Sequence, residues 1–209
     1  MLHPILFLLI GFGILSGIFI VYMGFHKKIV IQQKRFGKRY ALYREHQAEY
    51  SKEMGRIYSE LCQDIGSAFG RDKESFGLYY DNPRTLLDPK TARVVVGVFL
   101  DEQDIEIAKN FVAQRKDFKF KLLPDVDVVS AIIPYRNFLT FIWGNAKVCP
   151  ALFRYIGEKR LANPNETHSV MEFYHWGGPD KTIEYIVTFG ENSNEYYLPL
   201  TPRPPKKLT

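Results

Sequence analysis

Arg93–Leu100 reads Arg-Val-Val-Val-Gly-Val-Phe-Leu, and its near-continuous apolarity marks a strand buried on both faces. Val94, Val96 and Val98 point one way, and Val95 and Phe99 the other. A weaker strand, Arg39–Glu45, starts this half of the domain; Tyr43 and Tyr50, seven apart, leave a long helix open as the alternative there. Tyr50–Phe69 follows as a helix, with Tyr50, Met54, Ile57, Tyr58, Leu61, Ile65 and Phe69 at helical spacing and Gly66 and Gly70 at its end. Ser75–Asp81 is the next strand, with Phe76, Leu78 and Tyr80 on one face, broken by Asn82-Pro83.

A short helix through Ile105, Ala108, Phe111 and Val112 leads to a second copy of the same order. Val126–Pro134 is a strand, Phe138–Leu161 a helix with a break or kink at Pro150, and Val170–Trp176 and Thr182–Phe189 two strands joined by a Gly-Gly-Pro-Asp turn. A short extended piece, Tyr196–Leu200, precedes a basic, Pro-rich end, 201–209. The fold class is therefore α+β, two β-α-β-β repeats over 39–200, with a cleft expected along their junction.

Before the repeats, Ile5–Phe25 is an uncharged run of 21 residues. As a helix it reaches ~31 Å, enough to cross a hydrocarbon core. Residues 1–4 carry no Lys or Arg, and no Ala-x-Ala follows Phe25, so a retained signal-anchor is expected and not a cleaved signal. Lys27, Lys28, Lys34, Arg35, Lys38, Arg39 and Arg44 follow with no acid among them. This basic collar, 26–38 and just beyond, predicts a lumenal N-terminus and a cytosolic domain. The remaining chain holds 21 basic against 23 acidic residues, so no direct contact with nucleic acid is expected. Gly13 and Gly17 form a small-xxx-small pair on which two such helices can dimerise.

Tyr79-Tyr80-Asp81-Asn82-Pro83, Arg93, Val96-Gly97, Val148-Cys149-Pro150-Ala151-Leu152 and Glu172-Phe173-Tyr174 together resemble the testis-expressed ER-phagy receptor family. Tyr50–Leu61 also looks like the first helix of the GyrI-like superfamily. The resemblance covers about residues 5–200 and implies a single-pass protein of the endoplasmic reticulum with a cytosolic GyrI-like domain. It implies a receptor or adaptor in reticulophagy (selective autophagy of that organelle), binding ubiquitin-like autophagy proteins. It also implies a link to the valosin-containing AAA ATPase at DNA–protein crosslinks. The family's long acidic tail, which holds the docking motif, does not follow Leu200; nine residues do, three of them basic and none acidic. Residues 28–209 are thus expected to bind those autophagy proteins weakly or not at all on their own.

Four aromatic-x-x-aliphatic stretches lie outside the anchor: Tyr58–Leu61, Phe120–Leu123, Phe153–Ile156 and Tyr197–Leu200. The last, with Glu191 and Glu195 upstream, is the best-placed autophagy-motif candidate. Glu172 sits between Met171 and Phe173 in an apolar strand, where a charge is costly unless paired. The resemblance implies that it lies in a ligand cleft and meets a cationic small ligand, with Tyr80, Trp143, Tyr174 and Trp176 as aromatic wall candidates. No metal-ligand spacing, phosphate loop, nucleophile elbow or cofactor motif is readable. Binding and not catalysis is expected; the alternative is an anchored small-molecule-binding or hydrolytic GyrI-like module with no autophagy role. Asn165-Glu166-Thr167 is a glycosylation sequon that a cytosolic domain leaves unmodified.

Overall fold

The computed structural model describes residues 2–69, 73–81, 86–161, 169–177, 179–196 and 198. Helix α1, Leu2–Met23, is the apolar segment, and its Leu6–Met23 part is long and apolar enough to cross a membrane. Over Leu6–Met23 nearly all side chains point away from the other described residues, the exposure that a helix surrounded by lipid would have.

The rest is one antiparallel sheet with helices on one face. Its strands are β1 Gln32–Phe36, β2 Arg39–Gln47, β3 Ser75–Tyr79, β4 Arg93–Leu100, β5 Phe118–Leu123, β6 Val126–Pro134, β7 Val170–His175 and β8 Thr182–Phe189. Their order across the sheet is β1-β6-β8-β7-β3-β4-β2-β5. This order is symmetric about the β7–β3 pair, so β2-α2-β3-β4 and β6-α5-β7-β8 are the two expected repeats. Each repeat carries its own helix: α2 Tyr50–Phe69 and α5 Cys149–Lys159.

The alternating strands sort their side chains onto two faces. Phe76, Leu78, Tyr80, Val95, Phe99, Met171 and Phe173 form a core on the face away from the helices. On the helix face, Ile57, Leu61 and Ile65 of α2 meet Val94, Val96 and Val98, while Leu152 and Ile156 of α5 meet Val129, Ile183, Tyr185 and Val187.

Several expectations need correction. Gln32–Phe36, inside the segment taken as basic collar, is strand β1, paired with β6. Lys34 bonds Glu184 at 2.6 Å, Arg35 bonds Asp127, Arg39 bonds Glu74, and Arg44 lies among Glu60, Asp64 and Asp117. Much of the apparent collar charge is therefore neutralised within the fold. Strand β5, another edge strand, also went unanticipated, as did its pairing with β2. β1 precedes β2 yet joins the second repeat, and β5 precedes β6 yet joins the first, so each half borrows an edge from the other.

The expected kink at Pro150 is instead a π turn, Gly144–Val148, between α4 Leu139–Trp143 and α5. Pro150 itself sits in the first turn of α5, directly after that π turn. Arg39–Gln47 is a strand and not a continued helix. Tyr196 ends a 3-10 turn, Glu191–Tyr196, and not an extended piece. Tyr197, Leu200, Asn165, Asn82-Pro83 and 201–209 lie outside the described residues.

Candidate functional site

The seam between the repeats is floored by β3 and β7, and Glu172 stands on it. Gly77 faces it across the ladder on one side and Tyr185 on the other. Its side chain points to the helix face and is 2% exposed. The Tyr174 hydroxyl donates to its Oε2 at 2.6 Å. Tyr79, Tyr185 and Asn145 also direct polar groups at it. Burial raises the pKa of its carboxyl, and these hydrogen bonds offset only part of the rise. Among the described residues no Lys, Arg or His forms an ion pair with it.

Tyrosine rings surround Glu172. Tyr58 descends from α2 and meets the Tyr174 ring edge-on at 5.2 Å. The hydroxyls of Tyr79 and Tyr174 lie 3.4 Å apart. Tyr58 and Tyr185 bring in buried hydroxyls that close no hydrogen bond of normal geometry among the described residues. Burial comes first, and the neighbouring Glu172 charge second, in pushing the Tyr58, Tyr79, Tyr174 and Tyr185 phenols well above their usual range. These phenols therefore stay protonated donors.

Two glycines make room for them. A Cβ on Gly77 would lie 2.1 Å from the Tyr58 hydroxyl, and one on Gly144 would lie 2.0 Å from that of Tyr185. The Gly144–Val148 π turn also carries Asn145, whose Oδ1 is 3.7 Å from Cys149 Sγ. The Cys149 thiol is pushed up to about 12, first by burial and then by the Glu172 charge. From Tyr174 the rings continue outward: Trp176 stacks on it at 5.5 Å with planes 4° apart, and half-exposed Trp176 meets Lys181.

The other wall candidates fall elsewhere. Tyr80 faces the opposite core, where its hydroxyl donates to Tyr196 O and accepts from the Leu198 N–H, both at 3.2 Å. Trp143 lies 5.6 Å from Phe25, at the end of α1. Of the aromatic-x-x-aliphatic stretches, Leu61, Leu123 and Ile156 are buried in the three cores. Sequence reasoning missed Tyr58, Tyr79 and Tyr185 as site residues. The signal in hand was a tyrosine recurring on the face that also carries Glu172, together with a glycine opposite it.

No protein-family model matches the sequence. The chain is similar to testis-expressed protein 264 homolog of Mus musculus, 29% identical over 160 residues, 75% of this chain and 47% of that protein. It is similar to testis-expressed protein 264 of Homo sapiens, 30% identical over 122 residues, 57% of this chain and 37% of that protein. The matched part thus spans less than half of either relative. Among solved structures it is similar to the C-terminal domain of EcmrR, with a TM-score of 0.53 and 13% identity, covering 79% of this chain and 99% of that one. It is also similar to a hydrolase from Listeria innocua, with a TM-score of 0.51 and 9% identity, covering 77% and 91%. These likenesses, with the twofold-repeated antiparallel sheet, show that the part of the chain after α1 has the GyrI-like fold.

Proposed function

We propose that this chain is a membrane-anchored binding protein whose GyrI-like domain receives a cationic group at Glu172. One observation carries this: a fully buried carboxyl, ringed by tyrosines, with no cation beside it among the described residues. A lone carboxylate in such surroundings is costly, and an entering cation offsets that cost while the ring faces attract it. The ligand is an organic cation with apolar bulk, or a cationic side chain of a partner. Turnover is not part of the function. Cys149, the thiol nearest Glu172, is held protonated by its surroundings, the reverse of an activated nucleophile.

Calorimetry with benzyltrimethylammonium and its neutral carbon isostere tests this. The cation should bind, the isostere should not, and Glu172→Gln should weaken the cation at least about tenfold, the equivalent of ~1.4 kcal/mol. Equal binding of both probes, or affinity unchanged in Glu172→Gln, rejects it.

The wider role we propose rests on similarity to testis-expressed protein 264. The anchor sits in the endoplasmic reticulum with the domain cytosolic, and the protein serves as an adaptor in reticulophagy. Its partners there are ubiquitin-like autophagy proteins and, at crosslinks, the valosin-containing ATPase. Docking through Tyr197 and Leu200 would pull their neighbours Tyr196 and Leu198, both buried, into water. That costs ~1.5–3 kcal/mol for each side chain. Residues 28–209 alone should therefore bind weakly; in the full chain on a membrane, pairing through Gly13 and Gly17 would recover part of the loss by avidity. Micromolar binding abolished by Tyr197→Ala/Leu200→Ala would overturn the expected weakness.

A further inference from the structure

Helix α4 has an apolar side that the other described residues leave exposed. Phe138, Leu139 and Ile142 are 62%, 41% and 53% exposed. Spaced i, i+1, i+4, they share one side of the helix. The other side faces inward: Thr140 is buried, and Phe141 rests on Tyr135 and Tyr174.

The end of α1 lies against this helix. Asn137 Nδ2 donates to Met23 Sδ at 3.5 Å, and Met23 is buried there. The rings of Trp143 and Phe25 are 5.6 Å apart. Lys147 Nζ donates to the Phe25 carbonyl at 2.9 Å, and the Arg136 guanidinium lies 5.7 Å from the Tyr22 ring. Gly24 is what turns the chain back onto the domain. Its φ of +73° lets the Gly24 N–H reach Val21 O at 3.0 Å and the Phe25 N–H reach Ile20 O at 3.2 Å. The exposed side of α4 is thereby held at the level where α1 leaves its apolar stretch. Arg136 and Lys147 stand at the same level, Lys27 and Lys28 follow within three residues of Phe25, and no acid occurs in residues 1–44 or 136–147.

We infer that Phe138, Leu139 and Ile142 enter the headgroup–acyl boundary of the bilayer that α1 crosses, while Arg136, Lys147, Lys27 and Lys28 meet anionic headgroups. This rests on α1 being a membrane span. The chemistry fits that layer: apolar chains inward, a tryptophan at the boundary and cations at headgroup level. The domain would then hang from two contacts, with Phe141 on the inner side of α4 still resting on Tyr174 beside Glu172.

The test uses the full chain in vesicles of phosphatidylcholine and phosphatidylserine carrying nitroxide-labelled lipid. Cys62 is replaced by Ser, and an environment-sensitive fluorophore is attached at Ile142→Cys or at Lys109→Cys on α3 (Ile105–Gln114). The probe at 142 should be blue-shifted and quenched by the nitroxide, and the probe at 109 should be neither. Adding Phe138→Ser and Leu139→Ser should abolish most of the quenching while the melting temperature holds. Equal quenching at both sites overturns the inference. So does a blue shift without quenching that grows with protein density, which assigns the side to a second copy. Alkaline extraction of the same vesicles separates the two claims. A retained chain without quenching overturns only the α4 contact, whereas a released chain overturns the span and the contact together.

Discussion

Gly77 stands directly across the β3–β7 ladder from Glu172, and its missing side chain is what lets the Tyr58 hydroxyl descend onto the sheet beside that carboxyl. The two repeats meet at this pair. Glu172 belongs to the second, Gly77 and Tyr58 to the first, so this arrangement exists only when both halves are assembled.

Gly77→Ala should therefore destabilise the domain by ~1–3 kcal/mol, the usual range for overpacking. The new Cβ would fall 2.1 Å from the Tyr58 hydroxyl and 3.1 Å from the Tyr79 ring. Urea titration gives the number, and adding Tyr58→Phe should recover part of it. An unchanged midpoint would show that Tyr58 moves aside freely.

Glu172→Gln should remove a pH dependence. Burial raises the folded-state pKa of Glu172 above its ordinary 4.5. The wild type therefore keeps its full stability below that ordinary value and loses some as pH rises through the folded pKa. The phenols around it titrate far higher and do not contribute in that window. Thermal melts from pH 4 upward should show the variant gaining on the wild type. A parallel decline in both proteins would place the titration elsewhere.

The two thiols should differ in reactivity. Cys62 is exposed, while Cys149 is buried and burial pushes its thiol up to about 12. At pH 8, maleimide should label one thiol per native chain and two per chain in denaturant, counted by mass. Fast double labelling of the native protein would mean that the seam opens readily.

Asp81→Ala should be severe, about 3 kcal/mol or more. Asp81 Oδ2 accepts from the Arg93 N–H and Nε, both at 2.9 Å, and Oδ1 from Nη2 at 3.0 Å. Removing it strands a half-buried guanidinium and a backbone donor where β3 passes to β4. Denaturation midpoints of Asp81→Ala and Asp81→Asn measure this, and a loss under 1 kcal/mol in both would show the clasp to be incidental.

Which of these features were legible beforehand follows from where the information lies. β4, β6 and β8 fall at the bounds that their apolar runs suggest, because strands covered on both faces carry that record in every residue. β1, Gln-Gln-Lys-Arg-Phe, and β5, Phe-Lys-Phe-Lys-Leu-Leu, carry no such record, since edge strands are half in water. Lys34 reads as one more collar cation until Glu184 of a distant strand comes to meet it.

By itself the sequence determined the long apolar N-terminal helix, the α+β class and the twofold repeat, because hydropathy and periodicity are local and each residue reports its own surroundings. It also singled out Glu172, since a carboxyl in an apolar strand stands out without any partner. Only the tertiary structure decided what surrounds it. Tyr58, Tyr79 and Tyr185 share the apolar spacing of ordinary core residues, and nothing in that spacing says where a hydroxyl points. Gly77, Gly144 and the π turn aim those hydroxyls at one carboxyl. That convergence is a property of two halves in contact, which no single stretch of chain contains.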